Sequence, residues 1–181
     1  PYTTLFRSLL NDAKYSLDVN VRDIGMTILR SPAYAHHIPA EIKPDEDYQY
    51  MDQGLQTFHY SMYPHKGNWE TSGTVRRAAE LNQKPTALFT TFHPEGKLPQ
   101  SDSFIQVTPD NVMVTVLKQA EDGEDLIIRA VETIQAATQA TIQIPHTGRI
   151  IEAVFQPCEI KTFRVPKDPQ LPVIETNLLE E

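Results

Sequence analysis

One cysteine, Cys158, stands in 181 residues, so an internal disulfide framework is excluded and the reducing cytoplasm is the expected setting. No apolar run approaches the roughly 20 residues needed to cross a bilayer, and no charged-then-apolar segment has the form of a signal peptide. Basic residues are in the minority: 16 Lys and Arg face 24 Asp and Glu, giving a net charge of −8 and a pI near 5.2. A polyanion would meet net repulsion with no basic stripe to offset it, so neither nucleic acid nor a membrane is an expected partner. Internal repeats and low-complexity tracts are absent, and helical periodicity is scarce.

What is present is concentrated in residues 50 to 69, YMDQGLQTFHYSMYPHKGNW. An Asp-Gln-Gly turn, an alternating strand and a Pro-His-Lys-Gly turn follow one another without a break. Phe58, Tyr60 and Met62 share one face and Thr57, His59, Ser61 and Tyr63 the other, the period of a strand packed on one side. The first set is read as the packed face. Asp52, Gln53, His59, Tyr60, His65, Lys66 and Trp69 mix hydrogen-bonding groups with aromatic faces, a combination suited to sugar hydroxyls and to the C–H side of a pyranose ring. The same residues also suit an ordinary strand with a polar outer face.

Elsewhere the chain is punctuated as a β protein. A polar turn, Asn11-Asp12-Ala13-Lys14-Tyr15, leads to a strand at Ile24 to Leu29; residues 31 to 50, with Pro32, Pro39 and Pro44 beside Asp45, Glu46 and Asp47, read as an extended surface loop. Thr71 or Ser72 is placed to cap the one sizeable helix, with Val75, Ala78, Ala79 and Asn82 on one face and Pro85 preventing continuation. Residues 93 to 102 read as a loop or a seam between two β units. Strands follow at Phe104–Thr108, Val112–Leu117, Leu126–Val131, Ala140–Ile144, Ile150–Phe155 and Glu159–Val165, spaced as in an antiparallel meander. Cys158 is read as a core residue, and Val173 to Leu179 as an edge strand or a cover for another domain. The expected fold class is all-β, an antiparallel β-sandwich with one short helix.

The pieces LLNDAKYSLDV, ILRSP, MDQGLQTFHYSMYPHKGNW and VRRAAELN, in this order, closely resemble the C-terminal region of family 38 glycoside hydrolases, the α-mannosidases, above all the bacterial and cytosolic type. SFIQVTPDNVMVTVLKQAEDGEDLIIRAVE and EAVFQPCEIKTFRVP fit the same region, so the likeness runs from about Leu9 to Leu179. Tyr34-Ala35-His36-His37-Ile38 departs from the acidic, proline-rich loop of many relatives, and Ser16 stands where many have glycine. The resemblance implies the end of a galactose-mutarotase-like β-supersandwich over residues 9–92, a linker over 93–102 and a smaller β-sandwich over 103–181. It further implies a parent enzyme whose N-terminal α/β barrel carries a zinc ion and a nucleophilic aspartate, hydrolyses terminal α-linked mannose with retention, and makes mannosides and that barrel the partners of this region, with homo-oligomer formation open. The barrel's ligands have no counterpart positions here. Residues 1–8, PYTTLFRS, match the in-frame translation of a common sequencing adapter and are given no functional reading; the natural protein is taken to continue upstream of Leu9.

Retaining glycosidases need two carboxyls roughly 5–5.5 Å apart, and no such pair is recognisable, so no catalytic residue is assigned. Asp12 and Asp52 lie in the two turns most like the family's and read as turn-formers or hydrogen-bond acceptors. Tyr15, beside Lys14, either reaches toward a bound sugar across a domain junction or packs that junction. Tyr60 belongs to the sugar-suited cluster, and His65 projects from its turn toward substrate or barrel. Adjacent His36 and His37 point apart in extended backbone and have no third ligand at a zinc spacing, so no metal site is assigned. Trp69 is read as core, interface or stacking platform; His93 and His146 as solvent-exposed; Arg76 and Arg77 as a solvated helix face or barrel-facing ion pairs. The alternative to an enzyme's C-terminal region is a non-catalytic carbohydrate-binding module presenting Trp69 and Tyr60.

Overall fold

Alternation of Val, Ile and Thr with polar residues extends the backbone, and antiparallel strands dominate the computed structural model, which describes residues 5–21, 23–33, 41 and 43–181. In chain order these are β1 (Leu5–Asn11), β2 (Leu17–Asn20), β3 (Asp23–Met26), β4 (Tyr60–Lys66), helix α1 (Thr74–Asn82), β5 (Gln106–Thr108), β6 (Val112–Gln119), β7 (Leu126–Glu132), β8 (Thr138–Ile144), β9 (Arg149–Phe155), β10 (Ile160–Val165) and β11 (Ile174–Thr176). Two compact units result, one of Leu9–Tyr63 and one of Pro1–Ser8 with Pro64–Glu181.

The larger unit is built around a β-sandwich, the architecture expected from the sequence. One sheet has the order β11-β10-β7-β6 and the other β5-β8-β9, all pairs antiparallel. In β8, Thr138, Ala140, Ile142 and Ile144 are buried while Gln139 and Gln143 face out, the period of two that a half-buried strand requires. Ile142 and Ile144 meet Val112, Ile128, Phe155 and Phe163 in the core between the sheets. Phe155 and Phe163 touch edge to face, centroids 6.4 Å apart, the arrangement that sets a positive ring edge against a negative ring face.

One end of the sandwich is fixed by a carboxylate. Alternation in β7 puts Glu132 on the side of Ile128 and Ala130, and it is 1% exposed. Its Oε1 accepts from Asn111 Nδ2 at 3.0 Å and Ile134 N at 2.8 Å; its Oε2 accepts from Cys158 N at 3.0 Å and Ala136 N at 3.2 Å. Burial pushes this carboxyl up, but the four donors outweigh that and hold it below its ordinary value. Gln135 (φ 61°) and Cys158 (φ 60°) are both in left-handed backbone beside these donors. The expectation that Cys158 is a core strand residue is corrected here: it is exposed, in the turn before β10, with its N–H rather than its thiol turned inward.

The C-terminal segment is held to the same sandwich. Arg149 donates from Nη1 to Leu171 O at 2.8 Å and from Nη2 to Asp168 O at 2.9 Å and Pro166 O at 3.3 Å, so one guanidinium gathers the proline-punctuated stretch. Beyond it β11 pairs with β10, which settles Val173 to Leu179 as containing an edge strand. Glu180 then pairs with Lys118 and accepts from Glu121 N at 3.1 Å; the Lys118 contact holds its carboxyl below the ordinary range.

The helix begins where predicted in character but not in residue. Gly73, at φ 69°, is the N-cap with no side-chain cap bond, replacing Thr71 or Ser72. Val75, Ala78 and Ala79 are half-buried as expected, whereas Leu81 takes the inward place given to Asn82. Residues 83–105 have no regular structure, and Leu88, Phe89 and Phe92 there are almost fully exposed.

The smaller unit holds the β2–β3 hairpin, paired from Leu17↔Met26 to Asn20↔Asp23, of which the sequence showed only the second strand. Ala33 bridges Tyr50, and Ser31 Oγ donates to Met51 O at 2.7 Å, closing the base of the proline-rich loop. His36 and His37 lie outside the described residues. Among those described, no helix is long and apolar enough to cross a membrane.

Candidate functional site

Three of the five residues singled out in the sequence fall in one neighbourhood of chain in the smaller unit. After β1 the backbone bends, with Asn11 Oδ1 accepting from Lys14 N at 2.8 Å. That turn presents Asp12 to His59, the residue immediately before β4. Its Oδ1 accepts from His59 N at 2.8 Å, its Oδ2 lies 2.8 Å from His59 Nδ1, and its own N–H donates to His59 O at 3.2 Å. A carboxylate accepts, so Nδ1 carries the proton, and in the neutral ring Nε2 becomes the acceptor. The Asp12 side chain is 16% exposed and that of His59 62%, which leaves the imidazole as the accessible end of the pair.

Aromatic surface continues from it. Lys14 Nζ sits 5.2 Å from the centroid of the Phe58 ring, and Phe58 stacks with Tyr60, centroids 6.4 Å apart. Tyr60 is 61% exposed and Tyr15 95%. The expected packed face of this strand is thereby corrected: Tyr60 and Met62 point outward, and the inward positions in β4 are Tyr63, half-buried, and His65, buried. Both parities carry aromatic residues, so the apolar pattern alone did not fix the face, and the polar groups that turn inward do so because partners meet them.

His65 belongs to the larger unit and is not a projecting turn residue. It lies in β4, stacked on Phe6 with ring centroids 6.2 Å apart. Nδ1 donates to Gly67 O at 3.1 Å, and Nε2 lies 2.9 Å from Ser8 Oγ. Ser8 Oγ is 3.2 Å from Thr74 Oγ1, which is 2.6 Å from Ser72 Oγ. These contacts tie β1 and β4 to the start of α1. Leu5 to Ser8, set aside in the sequence reading as adapter-like, form the first half of β1.

The remaining candidates have plainer settings. Asp52 is a turn residue at φ 54°, a conformation its short polar side chain tolerates, and its carbonyl accepts from Gln56 Nε2 at 3.2 Å. Trp69 is 39% exposed. Arg77 pairs with Glu80 at 2.7 Å and Arg76 with Asp110 at 3.3 Å. His146 is more engaged than expected, 3.0 Å from Asp102 and against the Phe104 ring at 4.9 Å. Among the described residues, no group of three or more His, Cys, Asp and Glu is arranged to hold a metal ion.

The Asp12–His59 pair can fix a hydroxyl, and the Phe58–Tyr60 stack can take an apolar ring face. Asp12→Ala is expected to cost about 1–2 kcal/mol locally, since the His59 N–H loses a charged acceptor. Faster amide exchange at His59 with an unchanged sandwich would be the reading. Sequence reasoning grouped His59 with the polar residues but did not pair it with Asp12; the two are 47 positions apart.

Residues 111–154 match the family model described as glycosyl hydrolases family 38 C-terminal beta sandwich domain. The chain is 29% identical to Alpha-mannosidase G of Dictyostelium discoideum across 87% of its length and 16% of that protein's. It is 30% identical to Alpha-mannosidase 2C1 of Homo sapiens over 69% of the chain and 11% of the relative. For Alpha-mannosidase of Saccharomyces cerevisiae the values are 25%, 87% and 14%. The chain thus spans a sixth or less of the curated relatives it matches. No solved structure matches it.

Proposed function

We propose that this chain, whose residues 111–154 match the family 38 C-terminal β-sandwich domain, is the C-terminal β region of a retaining, zinc-dependent α-mannosidase that removes terminal α-linked mannose. The observation that carries this is the alignment over 87% of the chain with Alpha-mannosidase G, which reaches far beyond the matched domain. Zinc belongs to the catalytic barrel in this reading, as the likeness to the α-mannosidases implies, and no step of the chemistry is assigned to this chain. Its part is to border the sugar site, with Asp12 orienting His59 and with Tyr15 and Tyr60 exposed beside them. Leu88, Phe89 and Phe92 in one unit and Tyr15, Val21 and Leu55 in the other are apolar and almost bare, as surfaces that face another domain are. The single cysteine and the likeness to the cytosolic type support a cytoplasmic setting.

The test is made in the intact enzyme. Tyr15→Ala and His59→Ala are each expected to lower kcat/KM about tenfold, equivalent to about 1.4 kcal/mol of transition-state stabilisation, with the melting temperature unmoved because both side chains are exposed. Unchanged kinetics in both variants would remove this surface from the site. Calorimetric titration of the 181-residue chain with mannose separates the module reading: no saturable binding is expected, and saturable binding would favour a free-standing carbohydrate-binding domain.

A further inference from the structure

Residues 85–94, PTALFTTFHP, lie between α1 and β5 and contain no Asp, Glu, Lys or Arg. Thr and Phe favour extended backbone in sheets, and the two prolines stand just outside residues 86–93, where a missing N–H does not interrupt a ladder. Alternation places Thr86, Leu88, Thr90 and Phe92 on one side and Ala87, Phe89, Thr91 and His93 on the other. Bulky apolar groups therefore stand on both sides, the pattern of a strand covered on both faces. By contrast β8, covered on one face, has Gln139 and Gln143 on its outer side.

In this structure neither face is covered. Leu88 and Phe92 are 87% and 88% exposed, and Phe89 is fully exposed. Residues 84–92 belong to no strand, and none of their main-chain N–H or C=O groups has a hydrogen-bond partner among the described residues. An uncharged stretch of strand-forming residues with an open backbone is a template for aggregation, so a folded enzyme keeps such a stretch inside a sheet.

We propose that residues 86–93 form a strand in a β-sheet of the parent enzyme that is completed by chain outside these 181 residues, paired along its backbone and covered on both faces. The inference rests on the reading of this chain as the C-terminal β region of a longer α-mannosidase. The chain spans a sixth or less of the curated relatives it matches, so the sheet and its cover have ample polypeptide to come from. A second copy fits less well: two such segments paired with each other would make a two-stranded ribbon with both faces still bare, and ribbons of that kind are marginal in water.

Hydrogen exchange read by mass spectrometry on the intact enzyme and on the 181-residue chain tests this. Amides of residues 86–93 are expected to exchange about a hundredfold slower in the intact enzyme, since only there does the backbone gain partners. Phe89→Asp and Phe92→Asp, one from each face, are each expected to lower the melting temperature of the intact enzyme by about 5 °C and to leave the urea midpoint of the 181-residue chain unchanged. Should either variant fail to fold, the exchange comparison on the unaltered proteins decides alone. Exchange equally fast in both proteins would overturn the proposal, as would a loss of stability from only one of the two substitutions. So would concentration-dependent self-association of the 181-residue chain that protects residues 86–93, which would assign the segment to a second copy. An active mannosidase with residues 86–93 unprotected removes the strand and leaves the enzyme reading standing; protection in an intact protein without mannosidase activity keeps the strand and removes that reading.

Discussion

Replacing Glu132 by alanine is expected to destabilise the sandwich by about 3–4 kcal/mol, the range for removing a buried charged acceptor and leaving its donors unmet. Four donors converge on this carboxylate, three of them backbone N–H groups from the turns after β7 and before β10. Those turns contain the left-handed residues Gln135 and Cys158, whose conformations each cost on the order of 1–2 kcal/mol and persist only when surrounding contacts impose them. The carboxylate supplies that imposition. In a two-state urea titration the alanine variant should move its midpoint well below that of the parent chain, and its melting temperature should fall by about 10 °C for a chain of this size. Glutamine keeps the shape but turns an NH₂ toward N–H donors, so Glu132→Gln is expected to lose about 2 kcal/mol.

The same group gives a pH signature. Its folded value lies below the ordinary 4.5, so the stability it contributes is complete above that ordinary value and is lost as pH falls through the lower folded value. Asp125, held below the ordinary 3.8 by Arg164 and by the Lys167 N–H, has the same sign. Stability should therefore be level from neutral pH to about pH 5 and fall below it. Glu132→Gln should flatten that acid limb; an acid limb as steep as the parent's would show that other carboxylates control it.

Arg149→Ala is expected to cost about 2–3 kcal/mol, because one cationic fork donates to three carbonyls of the C-terminal segment and charged hydrogen bonds are the stronger class. The loss should be local first. Residues 166 to 173 would open, β11 would lose its lead-in, and limited proteolysis should cut there while β6, β7 and β8 stay protected from exchange. Arg149→Lys should rescue little, since a single ammonium lacks the planar fork that reaches carbonyls in three directions. Proteolysis unchanged in both variants would mean that β11 pairing holds the tail without Arg149.

The sandwich was legible because its strands carry their own pattern. TQATIQI alternates so regularly that only one face of β8 can be buried, and the strands predicted from Phe104 to Val165 each meet an observed one. The β2–β3 hairpin was half missed, since its turn contains Val21 at φ 54°, and a β-branched residue gives no sequence signal for left-handed backbone. In β4 the two parities are both aromatic and polar, and the choice between them waited on Ser8, Phe6 and Gly67 meeting His65. Glu132 had a readable signal in its parity with Ile128 and Ala130, but a carboxylate at a strand end reads as the strand's exit unless its donors are known.

The sequence by itself determined the β class, the position of the helix and the likeness to family 38, because those rest on local periodicity, on turn chemistry and on motif order. The tertiary structure alone decided that Asp12 orients His59, that His65 is held inside rather than offered outward, and that Glu132 gathers two turns. Each of these is a meeting of groups distant in the chain, and a hydrogen bond depends on ångströms and angles that no spacing along the sequence specifies.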